Sequence, residues 1–175
     1  LVYRLCFRAP DITTQTTKRL MIRTTIKNER LLAHKTECLI LFCPEERTPS
    51  GKLAELDKKL KGVIGVSFKR KRFEGKLNQT LLLNVPKPIR ADNLLLVGVG
   101  KGHEVTTDKL RQAAGTSARY AEKSNLKAIT FCIPAEDFAR EIYDGIAKSD
   151  DSFAQIVVEG SLLSLYHFDI YKEPE

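Results

Sequence analysis

The chain has 175 residues, 42% of them apolar and 29% charged, with a formal net charge of +7. A domain of that length buries about 70% of the surface its unfolded chain exposes, and the composition excludes a disordered tract, a collagen-like repeat and a disulfide-dense miniprotein. No stretch approaches the ~20 apolar residues of a membrane span, so no membrane partner is expected.

Residues 1–21 are expected to lie outside the fold, as a disordered tail, an upstream extension or a remnant of expression. Arg4, Arg8, Lys18 and Arg19 stand there against Asp11 alone, and the threonine-rich stretch 13–17 has no apolar period. Next, Ile22, Thr24 and Ile26 alternate, which predicts a half-buried strand. The unbroken run 38–43 (CLILFC), ended by Pro44, predicts a strand buried on both faces. Such a strand needs helices above and below its sheet. Leu53, Leu56 and Leu60 recur at helical spacing, and Gly62 is placed to end that helix. Residues 63–68 read as a strand leading into a basic turn. Two further buried strands are predicted, at 80–85 (TLLLNV, stopped by Pro86 and Pro88) and at 93–99 (NLLLVGV).

The segment 106–123 carries the strongest helical pattern. Thr106 or Thr107 is placed to cap it and Asp108 sits in the first turn, where the helix dipole favours an anion. Leu110, Ala113, Ala114, Ser117, Ala118 and Ala121 form one stripe of mostly small residues, suited to close packing on a sheet. A strand follows at 127–133 (KAITFCI). Alternation of this kind predicts an α/β layered domain. A last helix, 152–168, is apolar most of the way round: Val158, Leu162 and Leu165 lie away from Phe153 and Val157. A helix of that kind is covered on more than one side. Val158, Leu162, Leu165 and Tyr166 are therefore expected to pack against something outside these residues.

The charge is unevenly placed: residues 52–76 carry +6 and residues 133–175 carry −7. The basic block centres on Lys69, Arg70, Lys71 and Arg72, flanked by Phe68 and Phe73. Two readings stand for it. Cations beside aromatics suit a nucleic-acid backbone, with the rings stacking on bases. Alternatively it is a solvated turn between strands whose phenylalanines face the core.

Gly98, Gly100 and Gly102 follow a buried strand and precede a helix, the position of a phosphate-binding loop. Position 103 is His, which breaks Gly-x-Gly-x-x-Gly, and position 95 is Leu, which breaks the P-loop pattern. A turn easing strand into helix is the competing role. His34, His103 and His167 are far apart in sequence, and Cys38 and Cys43 would point to opposite faces of one strand, so no metal site is predicted. No nucleophile elbow or Cys–His signature is present, and no catalytic residue is assigned. The four cysteines, Cys6, Cys38, Cys43 and Cys132, form no C-x-x-C pair. This fits a reducing, cytoplasmic setting.

Three stretches in order resemble the amino-terminal domain of the leucyl aminopeptidases, the cytosol aminopeptidase family. They are DNLLLVGVGKGHEVTTDKLRQAAGTSARYA at 92–121, KAITFCIP at 127–134 and VVEGSLLSLYHFDIYK at 157–172. The last is similar to the family's Glu-Gly-x-Leu-Leu-x-x-Tyr-x-Phe-x-x-Tyr-Lys signature. The resemblance covers roughly 22–172, with 173–175 as the start of an interdomain linker.

The resemblance implies a three-layer α/β/α module with a mixed sheet, similar in shape to macro domains. It also implies a separate C-terminal catalytic domain that holds two divalent metal ions, zinc or manganese, and releases amino-terminal residues from peptides. That domain's Asn-Thr-Asp-Ala-Glu-Gly-Arg stretch is absent here, so the chain by itself is expected to be inactive. Family members are homo-hexamers, and some bacterial ones bind DNA, for which Lys69, Arg70, Lys71 and Arg72 are the candidate contact. A self-sufficient module taking a nucleotide-like ligand at Gly98, Gly100 and Gly102 is the alternative, by analogy with macro domains.

Overall fold

The apolar run at 38–43 becomes the strand around which the domain is layered. The computed structural model describes residues 2–8, 21–27, 34–85, 90–132 and 150–166. They form β1 (Val2–Arg8), β2 (Met21–Lys27), β3 (Thr36–Pro44), α1 (Gly51–Lys59), α2 (Val63–Lys69), β4 (Thr80–Asn84) and β5 (Ala91–Gly100). A 3₁₀ turn (Gly102–Glu104), α3 (Thr107–Lys123), β6 (Ala128–Cys132) and α4 (Asp150–Ser164) complete them. The strands make one six-stranded sheet in the order β2-β1-β6-β3-β5-β4. β3 runs parallel to β5 and β6, while β1 and β4 pair antiparallel with their neighbours. The mixed sheet is the one expected.

Alternation along the central strands builds two cores from one sheet. Cys38, Ile40 and Phe42 of β3, Leu95, Val97 and Val99 of β5, and Ile129 and Phe131 of β6 face α3 and α4. Leu39, Leu41 and Cys43, with Leu94 and Leu96, face α1 and α2. Each large aliphatic or aromatic side chain so covered contributes roughly 1.5–3 kcal/mol of transfer free energy. The three-layer α/β/α architecture is therefore written in the period-two pattern of the buried strands. Cys38 and Cys43 fall on opposite faces, as their spacing requires.

In α3, Leu110, Ala113, Ala114, Ser117, Ala118 and Ala121 are all buried, and the Thr106 hydroxyl caps the helix by accepting from the Lys109 N–H at 3.3 Å. The small stripe lets α4 come close. Gly115 of α3 lies against Ser164 and the Gly160 carbonyl of α4.

Three expectations need correction. Residues 2–8, read as part of a tail outside the fold, form β1 inside the sheet, between β2 and β6. Residues 63–68, read as a strand, form α2: Ile64, Ser67 and Phe68 are buried at helical spacing, with Leu60 buried one turn earlier. Leu165, expected to pack against something outside these residues, is 7% exposed within the α3–α4 core, while Val158 is partly buried against that core. The proposed linker at 173–175 and His167 lie outside the described residues. No helix among the described residues is long and apolar enough to cross a membrane.

Candidate functional site

The carboxyl ends of β3 and β5 are where an open α/β sheet offers a ligand crevice. Here the chain fills that place with its own backbone. Gly98 donates its N–H to the Gln79 carbonyl at 2.8 Å and accepts from the Asn78 N–H at 2.9 Å. Gly100, in the left-handed region at φ 81°, donates to the Gly75 carbonyl at 3.0 Å and accepts from the Glu45 N–H at 2.8 Å. A β-carbon on Gly98 would collide with the backbone of Gly75 and Lys76, so glycine is required there for close approach. Gly102 sits in the 3₁₀ turn with open space around it. The N–H groups of Gly98 and Gly100 that a phosphate would need are therefore engaged within the chain. Beside the turn, Glu104 pairs with Lys101 at 3.4 Å and Lys109 at 3.5 Å, and these ammonium groups hold its carboxyl below the usual range.

The basic cluster lies at the end of α2. Lys69, Arg70, Lys71 and Arg72 are all exposed, and none forms an ion pair among the described residues. Phe68 and Phe73 point the other way: Phe73 is fully buried, and the rings meet edge to face at 5.3 Å in the α1–α2 core. Of the two readings for these aromatics, the structure agrees with the one that turns them to the core rather than toward stacking on bases. The α1–α2 hairpin adds exposed Lys58, Lys59 and Lys61. Its one buried-side acid is committed locally, because Asp57 accepts from the N–H groups of Ile64 and Gly65 at 2.7 and 3.0 Å. This carboxylate caps α2, whose own N-cap residue Gly62 has no side chain to offer.

No set of three His, Cys, Asp or Glu side chains among the described residues could hold a metal ion, so the two divalent ions implied by the resemblance find no fit there. Burial pushes the Cys38 thiol up to about 12 and raises that of Cys43 further, which keeps both protonated and unreactive at neutral pH.

The remaining surface feature is the end of α4. Phe153, Ala154, Ile156 and Val157 are buried against the sheet and α3, but Leu162, Leu163 and Tyr166 are exposed at 42%, 72% and 70%. Of the expected outward set, Leu162 and Tyr166 are exposed, Val158 is half-buried and Leu165 is buried. Leu163 joins the exposed two, signalled only by its position one residue after Leu162 on the last turn.

A family model described as "Cytosol aminopeptidase family, N-terminal domain" matches residues 40–175. The chain is 32% identical over 152 residues to a "Probable cytosol aminopeptidase" of Geobacter sp. (strain M21), covering 86% of this chain and 28% of that protein. It is 35% identical over 129 residues to a protein of the same description from Nostoc punctiforme, covering 72% of this chain and 24% of that one. Among solved structures, a tomato leucine aminopeptidase mutant superposes with a TM-score of 0.60 at 17% identity, over 85% of this chain and 29% of that one. The macrodomain of Mycobacterium tuberculosis DarG superposes with a TM-score of 0.57 at 11% identity, over 79% of this chain and 90% of that one. Both structural likenesses establish the layered fold. The chain spans about a quarter of the length of the curated relatives it matches, and it belongs to the cytosol aminopeptidase family, as that family's amino-terminal domain.

Proposed function

We propose that this chain is the accessory, amino-terminal domain of a metal-dependent leucyl aminopeptidase, serving assembly and access rather than bond cleavage. The observation that carries the reading is the family match over residues 40–175 together with coverage of only 24–28% of the relatives. In this reading the C-terminal catalytic domain of the same polypeptide binds two divalent ions, zinc or manganese. It supplies the Lewis acidity for releasing amino-terminal residues from peptides, in a cytoplasmic homo-hexamer. The test is the coding sequence downstream of Glu175. A stretch of the type Asn-Thr-Asp-Ala-Glu-Gly-Arg is expected in frame, and a stop codon directly after Glu175 in the native gene would overturn the reading.

A second reading, binding of duplex DNA by the α1–α2 hairpin, has one observation in its favour. Seven exposed cations, Lys58, Lys59, Lys61, Lys69, Arg70, Lys71 and Arg72, crowd its helix ends. Contacts of that type release counterions and fade steeply with salt. Retention of duplex DNA that weakens with salt and disappears when residues 69–72 become alanine is the result this reading requires.

A further inference from the structure

The sheet ends on two unlike edges. β2 closes one of them and carries Arg23 and Lys27. Cations on an edge strand repel a second copy of the same strand. β4 closes the other edge, and residues 77–85 (LNQTLLLNV) carry no charge at all. Among the described residues β4 has β5 as its one neighbour in the sheet.

A bulge at the start of β4 fixes which way its backbone groups point. Gly98 opposes two residues: its N–H donates to the Gln79 carbonyl, and its own carbonyl accepts from the N–H of Asn78, which is left-handed at φ 62°. From that anchor, hydrogen-bonded pairs recur at every second residue of the antiparallel ladder, so Leu81 and Leu83 bond to Leu96 and Leu94. The N–H and C=O groups of Thr80, Leu82 and Asn84 therefore point away from β5, along the outer edge. On the two faces, Leu81 packs on the α1–α2 core and Leu82 on the α3–α4 core, each half-buried.

We infer that β4 is a dimerisation edge, pairing antiparallel with β4 of a second copy about a two-fold axis at Leu82. In this register Leu82 faces its own counterpart, Thr80 faces the partner's Asn84 and Leu81 faces the partner's Leu83. Each outward-pointing residue exchanges both its backbone bonds across the seam, and no like charges meet there. An antiparallel edge is self-complementary under a two-fold rotation, and the uncharged β4 fits a second copy where β2 does not. The half-buried Leu81 and Leu82 gain cover on both faces of the joined sheet. The inference goes beyond the accessory-domain reading and does not depend on it.

Sedimentation equilibrium of the 175-residue chain supplies the test. The apparent mass is expected to approach twice 19.7 kDa as concentration rises. A Thr80→Lys, Asn84→Lys variant sets like charges opposite each other twice across the seam, and should self-associate about tenfold more weakly. A Thr80→Glu, Asn84→Glu variant should weaken likewise. Mixing the two should restore the dimer, because each lysine then faces a glutamate, a rescue that misfolded chains would not show. Hydrogen exchange on the unaltered chain reads the same edge without substitution: the N–H groups of Leu82 and Asn84 should exchange more slowly as concentration rises. A chain that stays monomeric at about 100 µM, well above the range of a specific interface, would overturn the inference. So would a dimer whose Leu82 and Asn84 amides show no such protection, or one that the lysine variant leaves intact.

Discussion

Gly160 of α4 rests directly on the backbone of Arg111 in α3, with no room for a β-carbon between the two helices. The guanidinium of the same Arg111 turns outward to Asp108 at 2.9 Å and Glu159 at 3.1 Å, so one residue meets α4 through both its main chain and its side chain. Gly160→Ala is expected to destabilise the domain by about 1–3 kcal/mol, the usual cost of forcing extra volume into packed structure. Thermal unfolding checks this, at roughly 2–4 °C per kcal/mol for a chain of this size. An unchanged melting temperature would mean the two helices are not in the described contact.

Asp57 links the two helices of the other layer, accepting from Ile64 and Gly65 where Gly62 cannot. Asp57→Ala is expected to cost about 0.5–2 kcal/mol, as for loss of an N-cap. Lys71→Ala nearby should move stability by less than about 0.5 kcal/mol, since its side chain is exposed and outside the core. Denaturant titration of the two variants separates a capping role from general sensitivity of the hairpin.

The fate of residues 63–68 illustrates what was legible in the sequence and what was not. The strands at 38–43 and 93–99 and the helix at 106–123 follow from patterns that tertiary contacts reinforce: unbroken apolar runs for the central strands, small residues at helical spacing for α3. The string VIGVSF carries β-branched and aromatic residues that favour a strand, yet Leu60, Ile64, Ser67 and Phe68 hold helical spacing, and the deciding partner is the Asp57 carboxylate reaching from the preceding helix. β1 escaped for a different reason. Its pairing partners are residues 21–27 and 128–132, and the latter lie more than a hundred residues away, so nothing local marks 2–8 as part of the sheet. The glycines at 98 and 100 were visible, but their purpose was not, because the backbone they accommodate belongs to residues 75–79.

Acid should weaken the charged clasps. Glu159 has its carboxyl held below the ordinary 4.5 by hydrogen bonds from Gln155 and then Arg111, and Glu74 is lowered by Lys76. A carboxylate with a depressed folded-state pKa lends stability that is present above its unfolded value and lost as pH falls through the folded one. Stability is therefore expected to drop below about pH 4.5, and Glu159→Gln should flatten part of that slope. These groups are exposed, so the effect should shrink with added salt. A pH profile of unfolding free energy that is flat from 6 to 3 would contradict these pairs.

The glycine turn should behave as structure, not as a ligand loop. Calorimetry with ADP-ribose is expected to give no saturable heat, because the N–H groups of Gly98 and Gly100 are already bonded to residues 79 and 75. Gly98→Ala should destabilise strongly through its collision with the backbone of Gly75 and Lys76, whereas Gly102→Ala, with open space around it, should be neutral. Saturable micromolar binding lost in Gly100→Val would restore the nucleotide-module reading.

Hydrolysis of leucine p-nitroanilide in manganese buffer bears most directly on whether this domain performs chemistry. The purified 175-residue chain should release no nitroaniline above the buffer rate, while the longer polypeptide of the same gene should release it and lose that activity to a chelator. Metal-dependent turnover by the 175-residue chain alone would contradict the assignment of catalysis to a separate domain.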